Sequence, residues 1–260
     1  MNDTLIEQLG DALYDAWSQH RVLAPLTQTH PGITVDEAYR IQLRTIARRV
    51  QAGERHVGKK VGLTATVVQQ MFGVNQPDFG HLLSGMGHSD GATLDASQFI
   101  QPKAEGEIGF LLKRDLGGPG VTSADVLAAT ECVMPCFEIV DSRIRDWNIK
   151  VLDTVADNGS SAAFVVGDQA VDPRRIELTT VGMTLEKNGE LIGTGAGAAT
   201  LGNPANAVAW LANALGAHGI TLQAGELILS GSLSGMFPIT TGDQLRMTLG
   251  KIGSASCRFI

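Results

Sequence analysis

Cysteine is scarce in this 260-residue chain: Cys132, Cys136 and Cys257 make an odd count with no close CxxC pair. A disulfide framework and a thiolate zinc site of the usual spacing are both excluded. Long apolar runs are also missing. The best of them, Ala205 to Leu215, is broken by Asn206 and Asn213 and falls short of the ~20 residues a membrane span needs. Met1 to Gly10 has no basic segment followed by an apolar one, so a reducing, cytoplasmic setting is expected. Basic residues are few and scattered, apart from pairs such as Arg48-Arg49 and Lys59-Lys60, and the formal net charge is -7. Nucleic-acid binding needs a basic stripe against the phosphates, so that partner class is excluded together with the membrane. Gly193-Thr194-Gly195-Ala196-Gly197 lacks the spacing of a phosphate-binding or dinucleotide loop. No order of Ser, His and Asp or of Cys and His suggests a nucleophilic triad, His81 being the histidine nearest a motif.

What is present suffices for a large domain, or for a small one attached to a larger one, since 43% of residues are hydrophobic. Leu5, Leu9, Leu13 and Trp17 recur every four residues and predict an amphipathic helix. Thr34 and Glu37 have capping-box spacing, and Ala38, Ile41, Ile46 and Val50 continue a second helical stripe to Gly53. From about residue 57 the texture changes to short β-branched runs between turns. Strands are expected at Glu107 to Leu112, Val133 to Val140, Ala163 to Val166, Thr179 to Leu185, Glu226 to Ser230 and Gln244 to Leu249. Helices are expected at Ser123 to Thr130 and Pro204 to Leu215, the latter with Asn203 as N-cap. The class is α+β: a helical region over 1–56 packed on a strand-rich domain over 57–260 that carries a rolled, mixed sheet.

Glu105-Gly106-Glu107 heads an apolar strand, and residues two apart in a strand share a face. Glu138 lies within a second apolar run, where an unpaired carboxylate would be costly. Three neighbouring carboxylates need protons or a shared cation, and oxygen-only ligation favours Mg²⁺ or Mn²⁺. The plainer alternative leaves Glu105 and Glu107 in water at the strand edge, with Glu138 paired to Arg143 or Arg145. Lys60, ahead of a short apolar stretch, is either a buried acid or base or a solvated surface lysine. Asp78, within Gln76-Pro77-Asp78-Phe79-Gly80, is either a turn former or a catalytic acid. The polar loop Asp157-Asn158-Gly159-Ser160-Ser161 suits either a substrate carboxylate or an Asx-turn.

Six ordered motifs resemble the hydratase/decarboxylase branch of the fumarylacetoacetate hydrolase superfamily nearly end to end: Lys60-Val61-Gly62-Leu63-Thr64, Gln76 to Gly80, Glu105-Gly106-Glu107, Phe137 to Arg143, Val155-Ala156-Asp157-Asn158, and Ile228 to Ser232. The resemblance implies a divalent metal, Mg²⁺ or Mn²⁺, held by Glu105, Glu107 and Glu138. Lys60 and Asp78 would move protons, and Leu63, Asp157 and Ser160 would sit against the substrate. It further implies hydration of 2-hydroxypenta-2,4-dienoate to 4-hydroxy-2-oxopentanoate in meta-cleavage aromatic degradation, in a pentameric or decameric homo-oligomer able to associate with a sister pathway enzyme. The alternatives are a 4-oxalocrotonate decarboxylase, an acylpyruvate-type C–C hydrolase and a catalytically silent partner subunit. The stretch through Ala24-Pro25-Leu26 and the segment Asp141 to Trp147 look like the hydratases. Asn158-Gly159-Ser160-Ser161 departs from their Asn-Ala-Ser-Cys toward the decarboxylases. No His/Glu pair of the hydrolase kind precedes the metal carboxylates, and retention of all five polar site residues argues against a silent subunit.

Overall fold

The computed structural model describes the backbone of residues 1–260 and every side chain except that of Phe72. Helix α1 (Asp3–Ser18) is opened by Asn2, whose side chain accepts the Leu5 N–H. Leu9 and Leu13 are buried as the four-residue spacing predicts. A 3.6-residue helix drifts off that spacing, so Ile6 and Ala16 complete the stripe while Leu5 and Trp17 flank it. After the single turn α2 (Leu26–Thr29), α3 (Val35–Gln51) starts at the predicted Thr34–Glu37 capping box, but its last apolar residue, Val50, is exposed.

The remainder alternates β1 (His56–Gly62), α4 (Thr66–Phe72), β2 (Asp78–Leu83), β3 (Gly87–Ser89), β4 (Ala92–Leu94), β5 (Lys103–Leu112), α5 (Ser123–Ala129), β6 (Thr130–Val140), α6 (Val151–Ala156), β7 (Ser161–Val166), β8 (Gly182–Lys187), β9 (Glu190–Ala196), α7 (Pro204–Gly216), β10 (Leu227–Ser232), β11 (Phe237–Pro238), β12 (Gln244–Leu249) and β13 (Gly253–Phe259). The strands form two mixed sheets. The larger runs β2-β1-β10-β5-β6-β7-β3 with β11 added to β5, and the smaller runs β4-β13-β12-β8-β9. The expected strand over Thr179 to Leu185 starts late, at Gly182, because Leu178–Thr180 forms a 3₁₀ turn.

Gly106 decides which face of β5 is which. A Cβ there would press on Met183 Sδ and Met247 Sδ of the smaller sheet at 2.6 and 2.7 Å, so that side of β5 carries the inter-sheet core. Ile108, Phe110, Phe137 and Ile139 fill this core with Leu185, Leu245 and, from α7, Val208 and Leu211. By strand alternation Glu105 and Glu107 face the other way, into the curl of the larger sheet. Ile46, Leu82, Met86, Cys136, Phe164 and Leu229 pack together there as a second core. The curl is closed by Asn158, whose side chain takes the His81 N–H at 2.7 Å and gives a hydrogen to the His81 carbonyl at 2.9 Å, replacing a missing strand on the edge of β2.

The N-terminal helices are bound into this arrangement. Ile6, Leu9, Leu13 and Ile41 share a cluster with Ile144, Val155 and Ala156. Buried Gln42 donates both to the Phe79 carbonyl on β2 and to the Val155 carbonyl on α6, at 3.0 and 2.7 Å. No helix among the described residues is long and apolar enough to cross a membrane.

Candidate metal and substrate site

In the β5–β6 pairing Glu105 stands opposite Glu138 and Glu107 opposite Cys136, so all three carboxylates point into the curl. Each offers an oxygen within 4.8 Å of the others. Glu107 and Glu138 are fully buried and Glu105 partly so, which removes the alternative of solvated acids at a strand edge. Glu107 accepts the Gly231 N–H at 2.7 Å, while its second oxygen and both oxygens of Glu138 receive no hydrogen bond. Nor does Glu138 reach Arg143 or Arg145. Its neighbour is the ammonium of Lys60, 3.3 Å away.

Lys60 reaches the acids because alternate residues of β1 face opposite ways. Lys59 turns out to Glu226, 2.6 Å distant, while Lys60 lies 4% exposed among the carboxylates, so the solvated-lysine alternative fails. Asp78 is the first residue of β2 and pairs in register with Gly62. It is buried, and its Oδ1 has no hydrogen-bond donor. Glycine is required at position 62: a Cβ there would overlap Asp78 Oδ1 and stand 3.3 Å from Lys60 Nζ. Four acids thus gather around one ammonium. Burial alone would depress Lys60, but Glu138, then Asp78, Glu105 and Glu107, hold it above the usual lysine value. Burial, then the charges of Glu138 and Asp78, push Glu105 up to about 7 against the pull of Lys60. Burial and Glu138 drive Glu107 well above the carboxylate range, and burial raises Asp78. Orphaned acceptors and surplus negative charge with oxygen-only donors fit a hard divalent cation.

The 158–160 loop covers Lys60. Asn158, Gly159 and Ser160 all have left-handed backbones, φ 58°, 59° and 56°, and Leu63 at the end of β1 has φ 54°. Such strain in non-glycine residues persists where the surroundings over-determine it, as at ligand sites. Ser160 is buried with its hydroxyl 3.0 Å from that of Thr154, and the half-buried Leu63 gives its carbonyl to Gln69. Asp157 must be corrected. Its carboxylate accepts from the Arg143 Nε and, at 2.9 Å, from the Arg143 N–H, so it anchors the loop internally instead of facing a substrate. His81 pairs in register with Lys59, on the β1 face away from Lys60, and burial pushes its imidazole down to about 3. It stays neutral and outside the acid cluster.

Sequence reasoning missed Asn158 as the clamp on β2, Gln42 as the tie between β2 and α6, and the orphaned hydroxyls of Ser161 and Ser230. Only a helical glutamine between Ile41 and Ile46, and an asparagine before glycine, signalled two of these.

The fold and the acid cluster define a class of protein that gathers buried carboxylates on the concave face of a rolled sheet. Residues 56–260 match the family model described as fumarylacetoacetate (FAA) hydrolase C-terminal, and the chain belongs to that family. It is 60% identical over 221 residues to a 2-hydroxypent-2,4-dienoate hydratase of Pseudomonas putida, covering 85% of this chain and 100% of the relative. It is 54% identical over 256 residues to a 2-hydroxyhexa-2,4-dienoate hydratase of Comamonas testosteroni, covering 98% and 97%. Among solved structures, 4-oxalocrotonate decarboxylase from Pseudomonas putida G7, complexed with magnesium and adipate, superposes with a TM-score of 0.97 at 35% identity, covering 100% and 99% of the two chains.

The raised acids give a pH prediction. A divalent cation must displace the proton that Glu105 carries below about 7, and the one Glu107 holds more tightly. Between pH 8 and 6 Mn²⁺ affinity is therefore expected to fall by about tenfold in all for the Glu105 proton, and by about tenfold per pH unit for the more tightly held Glu107 proton. Calorimetric titration across that range checks it; a flat profile would mean that the cation does not bind these carboxylates.

Proposed function

We propose that the protein hydrates 2-hydroxypenta-2,4-dienoate to 4-hydroxy-2-oxopentanoate, with Mg²⁺ or Mn²⁺ held by Glu105, Glu107 and Glu138. The observation that carries this reading is the convergence of these acids with Lys60 and Asp78 in one buried cluster, in a chain 60% identical to a pentadienoate hydratase. Meta-cleavage aromatic degradation is the setting of that reaction, and a cytoplasmic homo-oligomer is the expected state.

A bound cation would supply positive charge against the substrate's carboxylate and 2-oxygen, where negative charge accumulates on enolisation. Lys60, kept protonated by the acids around it, is placed to deliver a proton to C5 as the 2-hydroxyl gives one up, leaving the conjugated 2-oxo-alkenoate. Water then adds its oxygen at C4 and a hydrogen at C3, and Asp78 takes the proton the water releases. One water is consumed and no redox change occurs. The 158–160 loop and Leu63 hold the substrate over Lys60 and shed bulk water, with Ser160 as the polar contact.

The test is loss of dienol absorbance for freshly generated 2-hydroxypenta-2,4-dienoate with Mg²⁺, with Mn²⁺ and with chelator, identifying products and running 2-oxohex-3-enedioate in parallel. Metal-dependent 4-hydroxy-2-oxopentanoate is expected. CO₂ release from the diacid alone would make the protein a decarboxylase. Lys60→Ala is expected to lower turnover by about 10²- to 10⁴-fold, the usual contribution of a positioned proton donor. Mn²⁺ affinity should be kept or strengthened, because a neighbouring cation is removed. An unchanged rate would remove Lys60 from the mechanism.

A further inference from the structure

Asp78 also lines a cavity of about 490 Å³, to which the three glutamates and Lys60 do not contribute. Tyr39 of α3 and Val151, Leu152 and Val155 of α6 form one wall, and Asp78 with the 73–77 loop forms the other. Its shape is fixed from several directions. The Tyr39 ring stacks on Phe79 at 4.4 Å and 14°, and Gln42 ties the Phe79 carbonyl to that of Val155. Asp78 belongs both to this wall and, through its register with Gly62 and the nearby Lys60 ammonium, to the proton-moving groups. None of the described residues lining the cavity is lysine, arginine or histidine, and the ionisable ones, Asp78 and Tyr39, are both acids.

We propose that this cavity receives the end of the substrate remote from its carboxylate, that it accepts an uncharged alkyl or alkenyl tail of five- and six-carbon monoacids, and that Leu152 helps to set the tail length. The inference rests on the hydratase reading and adds the part of the substrate which that reading leaves open. With C1 and the 2-oxygen at the acid cluster and C4 and C5 at Lys60 and Asp78, the next carbon points between Tyr39 and α6. A methyl group there meets valine and leucine side chains. A second carboxylate would instead meet the Asp78 carboxylate in a lining that offers no cation of its own, a mismatch that disfavours six-carbon diacids.

Leu152 is partly exposed on α6, so it tolerates replacement without opening the core. The experiment compares wild type, Leu152→Trp and Leu152→Arg. It measures kcat/KM on 2-hydroxypenta-2,4-dienoate and 2-hydroxyhexa-2,4-dienoate, and calorimetric binding of 2-oxopentanoate, 2-oxohexanoate and adipate to the Mn²⁺-loaded protein. Wild type should process both dienols and bind adipate at least tenfold more weakly than 2-oxohexanoate. Leu152→Trp should lose tenfold or more on the six-carbon substrate and less than threefold on the five-carbon one, the scale on which a pocket reads one methylene. Leu152→Arg, whose guanidinium can reach water if the site is empty, should narrow or reverse the preference against adipate. Equal effects on both chain lengths, or adipate bound by wild type as well as 2-oxohexanoate, would overturn the tail site while leaving hydration standing. If wild type hydrates neither dienol yet the 2-oxo acids bind with the same length dependence, the hydratase reading fails and the tail site remains.

Discussion

Glu107→Gln and Glu138→Gln are each expected to reduce metal-dependent turnover on the order of a thousandfold. A bound cation contributes several kcal/mol of charge stabilisation, and each ~1.4 kcal/mol is a factor of ten. The substitutions keep side-chain volume and remove one negative charge from a crowded, buried set. The metal-free Glu107→Gln protein should not lose stability, because Glu107 is already driven toward its protonated form by burial and by Glu138. At position 107 an amide oxygen can still accept the Gly231 N–H that the carboxylate now takes. At position 138 the change withdraws the carboxylate 3.3 Å from Lys60, so the proposed proton donor is loosened as well as the proposed cation site. Glu138→Gln should therefore be the slower variant at saturating Mn²⁺, although both lose affinity. Full activity in either, with Mn²⁺ binding unchanged by calorimetry, would remove the carboxylates from the reaction.

How much of this was legible beforehand depended on whether a residue's role was local. Glu105 and Glu107 could be placed on one face from the two-residue period of a strand, and the capping box of α3 and the Asn203 cap of α7 are local hydrogen-bond patterns. Glu138 was recognisable as an acid in an apolar run, but its partner was not. Arg143 is five residues away in sequence, whereas Lys60 arrives by way of β10 and β5, which lie between β1 and β6 in the sheet. Asp78 stood open between a turn former and a catalytic acid, and only the long-range pairing with Gly62 makes it the start of β2. α6 is too short, at six residues, to show a helical period, and β13 is mostly small and polar up to Phe259, its place in the sheet being set by β12 and β4. The positive φ angles at Leu63 and Ser160 have no signature in residue type at all.

Asp157 illustrates the same limit and leads to the second large effect. The loop looked suited to a substrate carboxylate, yet the anion bound at this place is its own. Arg143, 4% exposed, holds the Asp157 carboxylate through Nε and its backbone N–H, gives a further hydrogen to the Asp157 carbonyl at 2.6 Å, and reaches the carbonyls of Asp141 and Ser161. Arg143→Met, similar in length but uncharged, would leave a buried carboxylate facing carbonyls that have lost their donor. Breaking a buried pair from one side costs about 3–5 kcal/mol, and for a chain of this size each kcal/mol corresponds to roughly 2–4 °C in Tm. A fall in Tm of about 6–20 °C is expected at pH 8 on these two scales. Part of it should return toward pH 5.5, since burial, opposed in the native protein by Arg143, raises Asp157 to about 6, and without Arg143 it takes up a proton more readily. The sign follows from the raised value: a carboxyl that binds its proton more tightly folded than unfolded favours the folded state as pH falls through its folded pKa. Differential scanning calorimetry of Arg143→Met against wild type at both pH values measures this, and a Tm deficit that is small, or equal at the two, would mean that the pair does not hold the loop. Because Ser160, Asn158 and the cover over Lys60 are built on that loop, the same variant should lose turnover even at temperatures where it remains folded.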